Sequence, residues 1–422
     1  MITALVLSLV VTAAPAEAVL RDGDRVVFLG DSITVLHTYT RLIEVAVRLR
    51  HPEWSLTFIN AGVGGNTVKD GLERLDVDVL AHKPTVVFVN FGMNDASYPD
   101  GSSDAAFEKN MGTLLDRLAK AKVRQVVWLD PTPYDTSVGQ PSPFNRHRVT
   151  RLGEFVEVAK TLGAERSLPV VPLNDAVTRA IASWRAAKRG ENLMPDRIHP
   201  GTVLHGVMAS TVLETLGVDL TTPKVQVSLA GNELRVAGQD GGVAWSGDRP
   251  VTVELTTRAP LPFVTQADAK LLDDPTLVAQ GSLVVSFAGL PPRQRFVLKA
   301  GTLEVGHFTG AQLGAGVDVM ATAPGRVAPG PERADLAVCE AVTGNPWAND
   351  VSCLFNVLYG RDQLRISMRH EKTRGLPNSV PGFLERYATL QDEWMEAVEH
   401  DLAARVRGMV VKPHTLSLEP EH

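Results

Sequence analysis

Four short segments in the first half of this chain carry residue types that can do chemistry together. They are Gly30-Asp31-Ser32-Ile33-Thr34, Asn60-Ala61-Gly62-Val63-Gly64-Gly65-Asn66-Thr67, Gly92-Met93-Asn94-Asp95 and Asp196-Arg197-Ile198-His199. Between them they hold a hydroxyl, a glycine-rich turn, a side-chain amide, and an imidazole with a carboxylate three residues before it. A nucleophile, a base with an orienting acid, and donors for a developing oxyanion are the parts that serine acyl transfer requires.

Taken singly, each segment has a plainer reading. Ser32 follows a strand-like run at a turn that Gly30 allows to be sharp. There it is either an exposed nucleophile beside free helix N–H groups or a helix-capping serine. Gly65 could aim an unobstructed N–H at an oxyanion, or it could be an ordinary turn. The segment lacks the Gly-Lys-Ser/Thr of a phosphate loop and the glycine spacing of a dinucleotide fingerprint. Asn94 could donate to an oxyanion, a contact worth roughly 3 kcal/mol in a transition state, or close an Asx turn. Asp95 reads as structural. Asp196 and His199 suit a single turn in which the carboxylate fixes the imidazole tautomer and the other ring nitrogen takes the Ser32 proton. A metal site would need a third ligand, and His205 is the nearest candidate, but it should lie on a helix. His37 is a rival base because it follows Ser32 so closely.

These segments need a scaffold that brings them together. Apolar runs at Arg25–Leu29, Leu56–Ile59, Thr85–Asn90, Gln125–Leu129 and Pro169–Val171 are mostly continuous, as in strands buried on both faces. Helical stretches lie between them at Tyr39–Leu49, Thr67–Leu80, Asp104–Ala119 and Val149–Leu162, and a last helix is expected at His205–Leu216. Thr67-Val68-Lys69-Asp70 has the spacing of a capping box, with Asp in place of Glu. Such alternation predicts a parallel sheet covered by helices on both faces. Ligands bind open α/β sheets at the carboxyl ends of the strands, which is where all four segments fall.

The chain has 422 residues, enough for two or three domains, and 44% are hydrophobic, so a sizeable core can form. Its net charge of −6, with signs interspersed, argues against a nucleic-acid-binding surface. Ile2 to Ala14 is almost wholly apolar and leads into Ala16-Glu17-Ala18, the pattern of a secretory signal peptide cleaved after Ala18, although no Lys or Arg precedes the run. No later stretch of membrane-spanning length is free of charges, so stable membrane insertion is not expected. In an oxidising compartment the two cysteines, Cys339 and Cys353, are close enough to bridge, and closing so short a loop would be worth roughly 3 kcal/mol. The alternative is two separate buried thiols.

Beyond Leu220 the pattern changes. Val225–Leu229 and Leu234–Val236 flank a turn at Ala230-Gly231-Asn232, which reads as a hairpin. Val251–Leu255, Leu283–Phe287 and Arg295–Leu298 continue the short-strand theme, predicting a small antiparallel β module. Gly310–Gly330 is rich in Gly, Pro and Ala. In the last region Phe383, Tyr387, Leu390, Trp394, Val398 and Leu402 recur at near-helical spacing, a stripe expected to pack against the rest of the protein.

Jointly the four segments resemble the SGNH hydrolases, also known as GDSL-type esterases, whose blocks carry Ser, Gly, Asn and His in this order with Asp three residues before His. The likeness runs over about Arg25–Gly217 and is closest at Asp196-Arg197-Ile198-His199-Pro200. The first block has Ile33 where Leu is common in the family. The resemblance implies a three-layer αβα, flavodoxin-like domain with Ser32 as nucleophile, His199 as base and Asp196 as its partner. The Ser32 and Gly65 N–H groups and the Asn94 amide would form the oxyanion hole, and neither metal nor cofactor would be needed. The expected layout is a signal peptide at 1–18, a catalytic domain at 19–220, a β module at 221–309, and an irregular then helical region at 310–422.

The expected activity is that of an exported, periplasmic or extracellular, serine esterase. Its substrate would be a small-molecule or polysaccharide ester, most simply an acetyl ester on carbohydrate, with Trp128, Tyr134 and Phe144 as candidates for a sugar-stacking rim. The alternatives are a lipid or thioester acyl hydrolase and a non-catalytic glycan-binding protein on a hydrolase fold.

Overall fold

A computed structural model describes residues 19–97, 103–138, 145–187, 192–222, 224–230, 233–236, 242–244, 251–255, 257, 260–321, 345–373, 383–410 and 414–421. The expected signal peptide, Phe144 and Cys339 lie outside these residues.

Strands β1 (Arg25–Gly30), β2 (Thr57–Gly62), β3 (Val86–Asn90), β4 (Gln125–Leu129) and β5 (Val170–Val171) form one parallel sheet in the order β2-β1-β3-β4-β5. The inner strands β1, β3 and β4 are nearly continuous Val, Phe and Leu because helices cover both faces, whereas the edge strand β2 is only partly buried. The covering helices are α1 (Ser32–Val35), α2 (Thr38–Arg50), α3 (Val68–Glu73), α4 (Leu75–Asp78), α5 (Ser103–Lys120), α6 (Arg146–Glu165), α7 (Leu173–Ala186) and α8 (Thr202–Thr215). Phe28 centres the core. It stacks on Phe88 at 4.8 Å and on Phe58 at 6.4 Å between ring centroids, with Tyr39 edge-on at 6.1 Å.

The register matters more than the strand count. Gly30 pairs with both Gly62 and Asn90, so β1, β2 and β3 end level with one another. The strand order reverses between β1 and β3, and a crevice opens at such a switch point.

The helix expected over Thr67–Leu80 is split at Arg74, which has φ −102° and ψ 4° and separates α3 from α4. The capping box at its start is present. Thr67 Oγ1 accepts the Asp70 N–H, and Asp70 Oδ2 accepts the Thr67 N–H at 2.7 Å.

The second half builds β6 (Val225–Ala230), β7 (Glu233–Val236), β8 (Gly242–Ala244), β9 (Val251–Leu255), β10 (Val284–Ala288), β11 (Arg295–Ala300), β12 (Leu303–Thr309), β13 (Val317–Asp318) and β14 (His414–Pro420). The expected β6–β7 hairpin is there. Two features differ from a simple antiparallel module. The sheet β13-β10-β6-β7-β8 is mixed, because β6 and β10 run parallel. The sheet β12-β11-β14-β9 is antiparallel but takes β14 from the far C-terminus, between β11 and β9. Both sheets feed one buried cluster, with Val227, Val285 and Phe287 from the first and Val253, Phe296, Leu298 and Leu416 from the second. Alternating burial along β9 and β11 gives each of those strands one apolar face.

The short helices α9 (Gln266–Leu271) and α10 (Pro275–Gln280) leave the β module. Phe263, Ala269 and Leu277 bury in the core of the first domain. Helix α11 (Gly310–Ala315) falls in the Gly-rich stretch. Helix α12 (Pro346–Thr373) ties the two cores together. Trp347 and Ala348 sit in the β cluster, and one turn later Val351, Leu354, Phe355 and Leu358 sit in the α/β core. In α13 (Phe383–Val410), Leu402 and Val406 bury in the α/β core and Val398 is half-buried, while the side chains of Phe383, Tyr387, Leu390 and Trp394 lie outside those described.

Phe28→Ala should destabilise the protein by about 3–5 kcal/mol, because it empties the centre of an aromatic cluster sealed between two helical layers. Chemical denaturation followed by tryptophan fluorescence would measure it.

Candidate active site

The turn after β1 is shaped by what cannot fit. A Cβ on Gly30 would lie 2.2 Å from Thr34 Oγ1 and 2.7 Å from the Asn90 carbonyl oxygen, and one on Gly62 would lie 2.4 Å from the Val35 backbone nitrogen. Both contacts are far inside van der Waals range, so glycine is what lets α1 press onto the strand ends. Asp31 caps that helix, its Oδ1 accepting the Ile33 N–H at 2.9 Å. The helix is a single turn, so little macrodipole acts on Ser32, and the local donor is the Ser32 N–H itself.

In the loop after β2, Gly65 has φ +77°, a left-handed conformation, with open space where a side chain would be. Among the described residues neither the Ser32 nor the Gly65 N–H donates a hydrogen bond. The Asn94 Nδ2 donates to the Asn66 carbonyl at 3.0 Å and lies 3.4 Å from Asp31 Oδ2. Asp95 faces inward and accepts the Val68 N–H at 3.1 Å, a structural contact that holds the start of α3.

The loop before α8 closes the arrangement. Arg197 takes a left-handed φ of 68°, curling the chain so that Asp196 Oδ1 accepts the N–H groups of Ile198 and His199 at 3.0 and 2.8 Å. The other oxygen, Oδ2, meets His199 Nδ1 at 2.5 Å, and His199 Nε2 lies 2.8 Å from Ser32 Oγ. Residues 167 positions apart in the chain are thereby within one hydrogen bond. An imidazole held this way can take a proton from the hydroxyl and return it to a departing alcohol. Partial burial tends to raise the Asp196 carboxyl, but its hydrogen bonds from the His199 ring and the two N–H groups outweigh that and hold it below the usual range.

The other histidines fall elsewhere. His37, the rival base, is buried with Nδ1 3.1 Å from Asp362 Oδ2. His205 is buried on α8, stacked on Tyr39 at 6.0 Å, and has no partner on either ring nitrogen. Burial pushes its pKa down to about 3, helped by the nearby His199, so it stays neutral. Among the described residues no cluster of three His, Cys, Asp or Glu side chains could hold a metal.

Two of the three expected rim rings are core in this structure, and Phe144 lies outside the described residues. Trp128 is fully buried under the sheet beside Phe107, and Tyr134 is also buried. Indole and phenol rings in a strand and its exit loop read equally as rim or core, and here they are core.

Two groups that the sequence left unnoticed shape the site. Arg74, at the break between α3 and α4, donates to the carbonyls of Gly30 (2.9 Å) and Ala61 (2.6 Å) and to Asn66 Oδ1 (2.7 Å). One guanidinium thus ties the ends of β1 and β2 to the glycine-rich loop. Arg148 on α6 is buried with Nε and Nη1 unpaired, and its charge acts on Asp31 and Asp196. Neither stands in a motif, and an isolated arginine in a helical run ordinarily signals a solvated face.

Asp31 is the most perturbed carboxyl at the site. Burial pushes its pKa up to about 7, partly offset by the Ile33 N–H, with Asp95 adding to the rise. A carboxyl raised on folding binds its proton more tightly in the native state, so its contribution to stability falls as pH climbs from about 4 to about 7 and then levels. Asp31→Asn keeps a capping oxygen without that titration. Measured by denaturation at pH 5 and pH 8, the variant should gain on the wild type at the higher pH.

Comparison with known proteins places the chain. Residues 28–206 match the model of the GDSL-like Lipase/Acylhydrolase family. An acetylxylan esterase from Geobacillus stearothermophilus is 27% identical over 219 residues, which is 47% of this chain and 96% of that protein. An uncharacterized lipoprotein, YqeF, from Bacillus subtilis (strain 168) is 32% identical over 77 residues, covering 17% of this chain and 32% of that one. Among solved structures, a gut microbial diltiazem-metabolizing enzyme superposes with a TM-score of 0.64 at 18% identity, covering 95% of this chain and 98% of that one. That likeness extends the shared fold through the β module and the C-terminal helices.

Proposed function

From a chain whose residues 28–206 form a GDSL-like lipase/acylhydrolase domain, and which is thereby a carboxylic ester hydrolase, we propose that it works through an acyl-Ser32 intermediate and removes short acyl groups, acetyl first, from carbohydrate. The observation that carries this reading is the 2.8 Å contact between His199 Nε2 and Ser32 Oγ, with Asp196 on the far ring nitrogen.

In this mechanism Ser32 Oγ attacks the ester carbonyl as its proton passes to His199 Nε2. Asp196 stabilises the imidazolium that forms. The oxyanion gathers the Ser32 and Gly65 N–H groups and the Asn94 amide, for which it replaces the longer contact to Asp31. His199 then protonates the leaving alcohol, and in the second half it activates water to free Ser32. A donor set held before substrate arrives would spare reorganisation during the reaction.

Acetyl on carbohydrate is favoured by the acetylxylan esterase relative, whose likeness covers 47% of this chain and 96% of that protein. Export is supported by the disulfide at Cys353, a bond that persists in oxidising compartments, and by the likeness to a lipoprotein. No helix among the described residues is long and apolar enough to cross a membrane.

Ser32→Ala should leave the circular dichroism spectrum unchanged and lower kcat on 4-nitrophenyl acetate by at least about 1,000-fold. With the parent enzyme, kcat/KM on 4-nitrophenyl esters should fall steadily from acetate to decanoate. A rise towards decanoate would favour a lipid acyl hydrolase instead, and glycan binding without any Ser32-dependent turnover would favour a binding protein.

A further inference from the structure

Helix α2 has the composition of a surface helix, Thr-Tyr-Thr-Arg-Leu-Ile-Glu-Val-Ala-Val-Arg-Leu-Arg, yet nearly all of it is buried. Arg41, Glu44 and Arg48 face the C-terminal helices instead of water. Arg361 of α12 grips both oxygens of Glu44 at 2.6 Å each, and it also reaches Asp362 Oδ1 at 2.8 Å and Glu399 of α13 at 3.1 Å. Arg48 joins Glu44 at 2.8 Å and Glu399 at 2.6 Å. Arg41 donates to Asp362 Oδ2 at 3.0 Å, its guanidinium lying over the rings of Phe355 and Tyr359. Three guanidinium groups meet three carboxylates, so the set is balanced by itself.

His37 attaches to this set as an additional member. Its Nδ1 lies 3.1 Å from Asp362 Oδ2, the same oxygen that holds Arg41. His37 is also the joint between the one-turn helix that begins with Ser32 and the start of α2. It takes a left-handed φ of 58°, its N–H donates to the Thr34 carbonyl at 3.0 Å, and its own carbonyl accepts the Arg41 N–H at 3.1 Å. Histidine visits this region more readily than most non-glycine residues, but at a cost that its surroundings must offset. On the other side, α1 presses so closely on Gly62 that even a methyl group is excluded.

We propose that Asp362 is a positioning residue for the ester-cleaving site: through His37 it clamps the turn that carries Ser32, so the helices beyond the family domain set the geometry of the reaction. Burial alone would raise the Asp362 carboxyl, and Arg361, His37 and Arg41 together hold it well below the usual range, so it stays an anion able to grip both partners. The inference rests on the roles proposed above for Ser32 and His199.

The test uses the full chain with 4-nitrophenyl acetate. His37→Asn is the decisive variant, because asparagine tolerates the left-handed conformation and the balanced six-charge set is untouched. It should lower kcat by about 10- to 100-fold with KM within about twofold and the melting temperature nearly unchanged, the signature of a displaced reacting group rather than lost fold. Asp362→Asn should lower kcat at least as much, because it also discharges the partner of Arg41 and Arg361, and the double variant should be no slower than Asp362→Asn alone, since the His37 contact is already cut. If Asp362→Asn does not fold, His37→Asn alone decides. A kcat for His37→Asn within twofold of the parent overturns the proposal, as do losses that multiply in the double variant. Ser32→Ala in the same assay separates the two failures: turnover surviving there refutes the site, whereas full turnover in His37→Asn alone refutes the clamp.

Discussion

Three parallel strands that end level are the constraint on which the site depends. With Gly30 opposite both Gly62 and Asn90, the turn bearing Ser32, the glycine-rich loop and the loop bearing Asn94 all leave the sheet at one height. A register slip of one residue would move each group by more than 3 Å, beyond hydrogen-bond range of the others. The contact between His199 and Ser32 is the fourth side of the same crevice, supplied by a loop that returns after β5 and α7. Arg74 then fastens the strand ends to the glycine-rich loop from beneath. The rigidity of the site thus comes from backbone pairing and from glycines whose missing side chains allow close approach.

The parts of this architecture that were legible in sequence are those where chemistry or burial restricts the residue type. Buried parallel strands must be apolar on both faces, so β1, β3 and β4 stood out as continuous runs. The Asp196-x-x-His199 pair stood out because one turn brings those two types together. What stayed hidden lies in long-range pairing. Arg41 and Asp362 are 321 positions apart, and Arg361 and Glu44 are 317 apart. Charged residues at helical spacing read as a solvated face, and no local pattern shows that oppositely charged helices will later cover them. Strand β14 is easy to pass over, although Leu416 and Leu418 alternate with polar residues, because so short a pattern is weak until β9 and β11, far upstream, pair with it. Trp128 shows the opposite error, in which an aromatic side chain taken for a rim is part of the core.

The C-terminal half therefore belongs physically to the half that carries Ser32 and His199. Helix α12 begins in the core of the β module and runs into the core of the α/β domain, and β14 returns the chain to the β module. Burying three arginines and three carboxylates is costly unless every charge is matched. Here the bidentate Glu44–Arg361 pair and the bridging Glu399 provide that matching. Such a network adds little net stability over apolar packing, but it fixes one arrangement of helices against others, which suits a region that holds the Ser32 turn in place.

Peptide mapping by mass spectrometry after reaction with a fluorophosphonate tests the central claim most directly, because the reagent marks the hydroxyl that a neighbouring base has activated. One adduct per chain is expected, on the peptide carrying Ser32, with labelling lost in His199→Ala. An adduct on a different serine, or none while ester turnover continues, would contradict it.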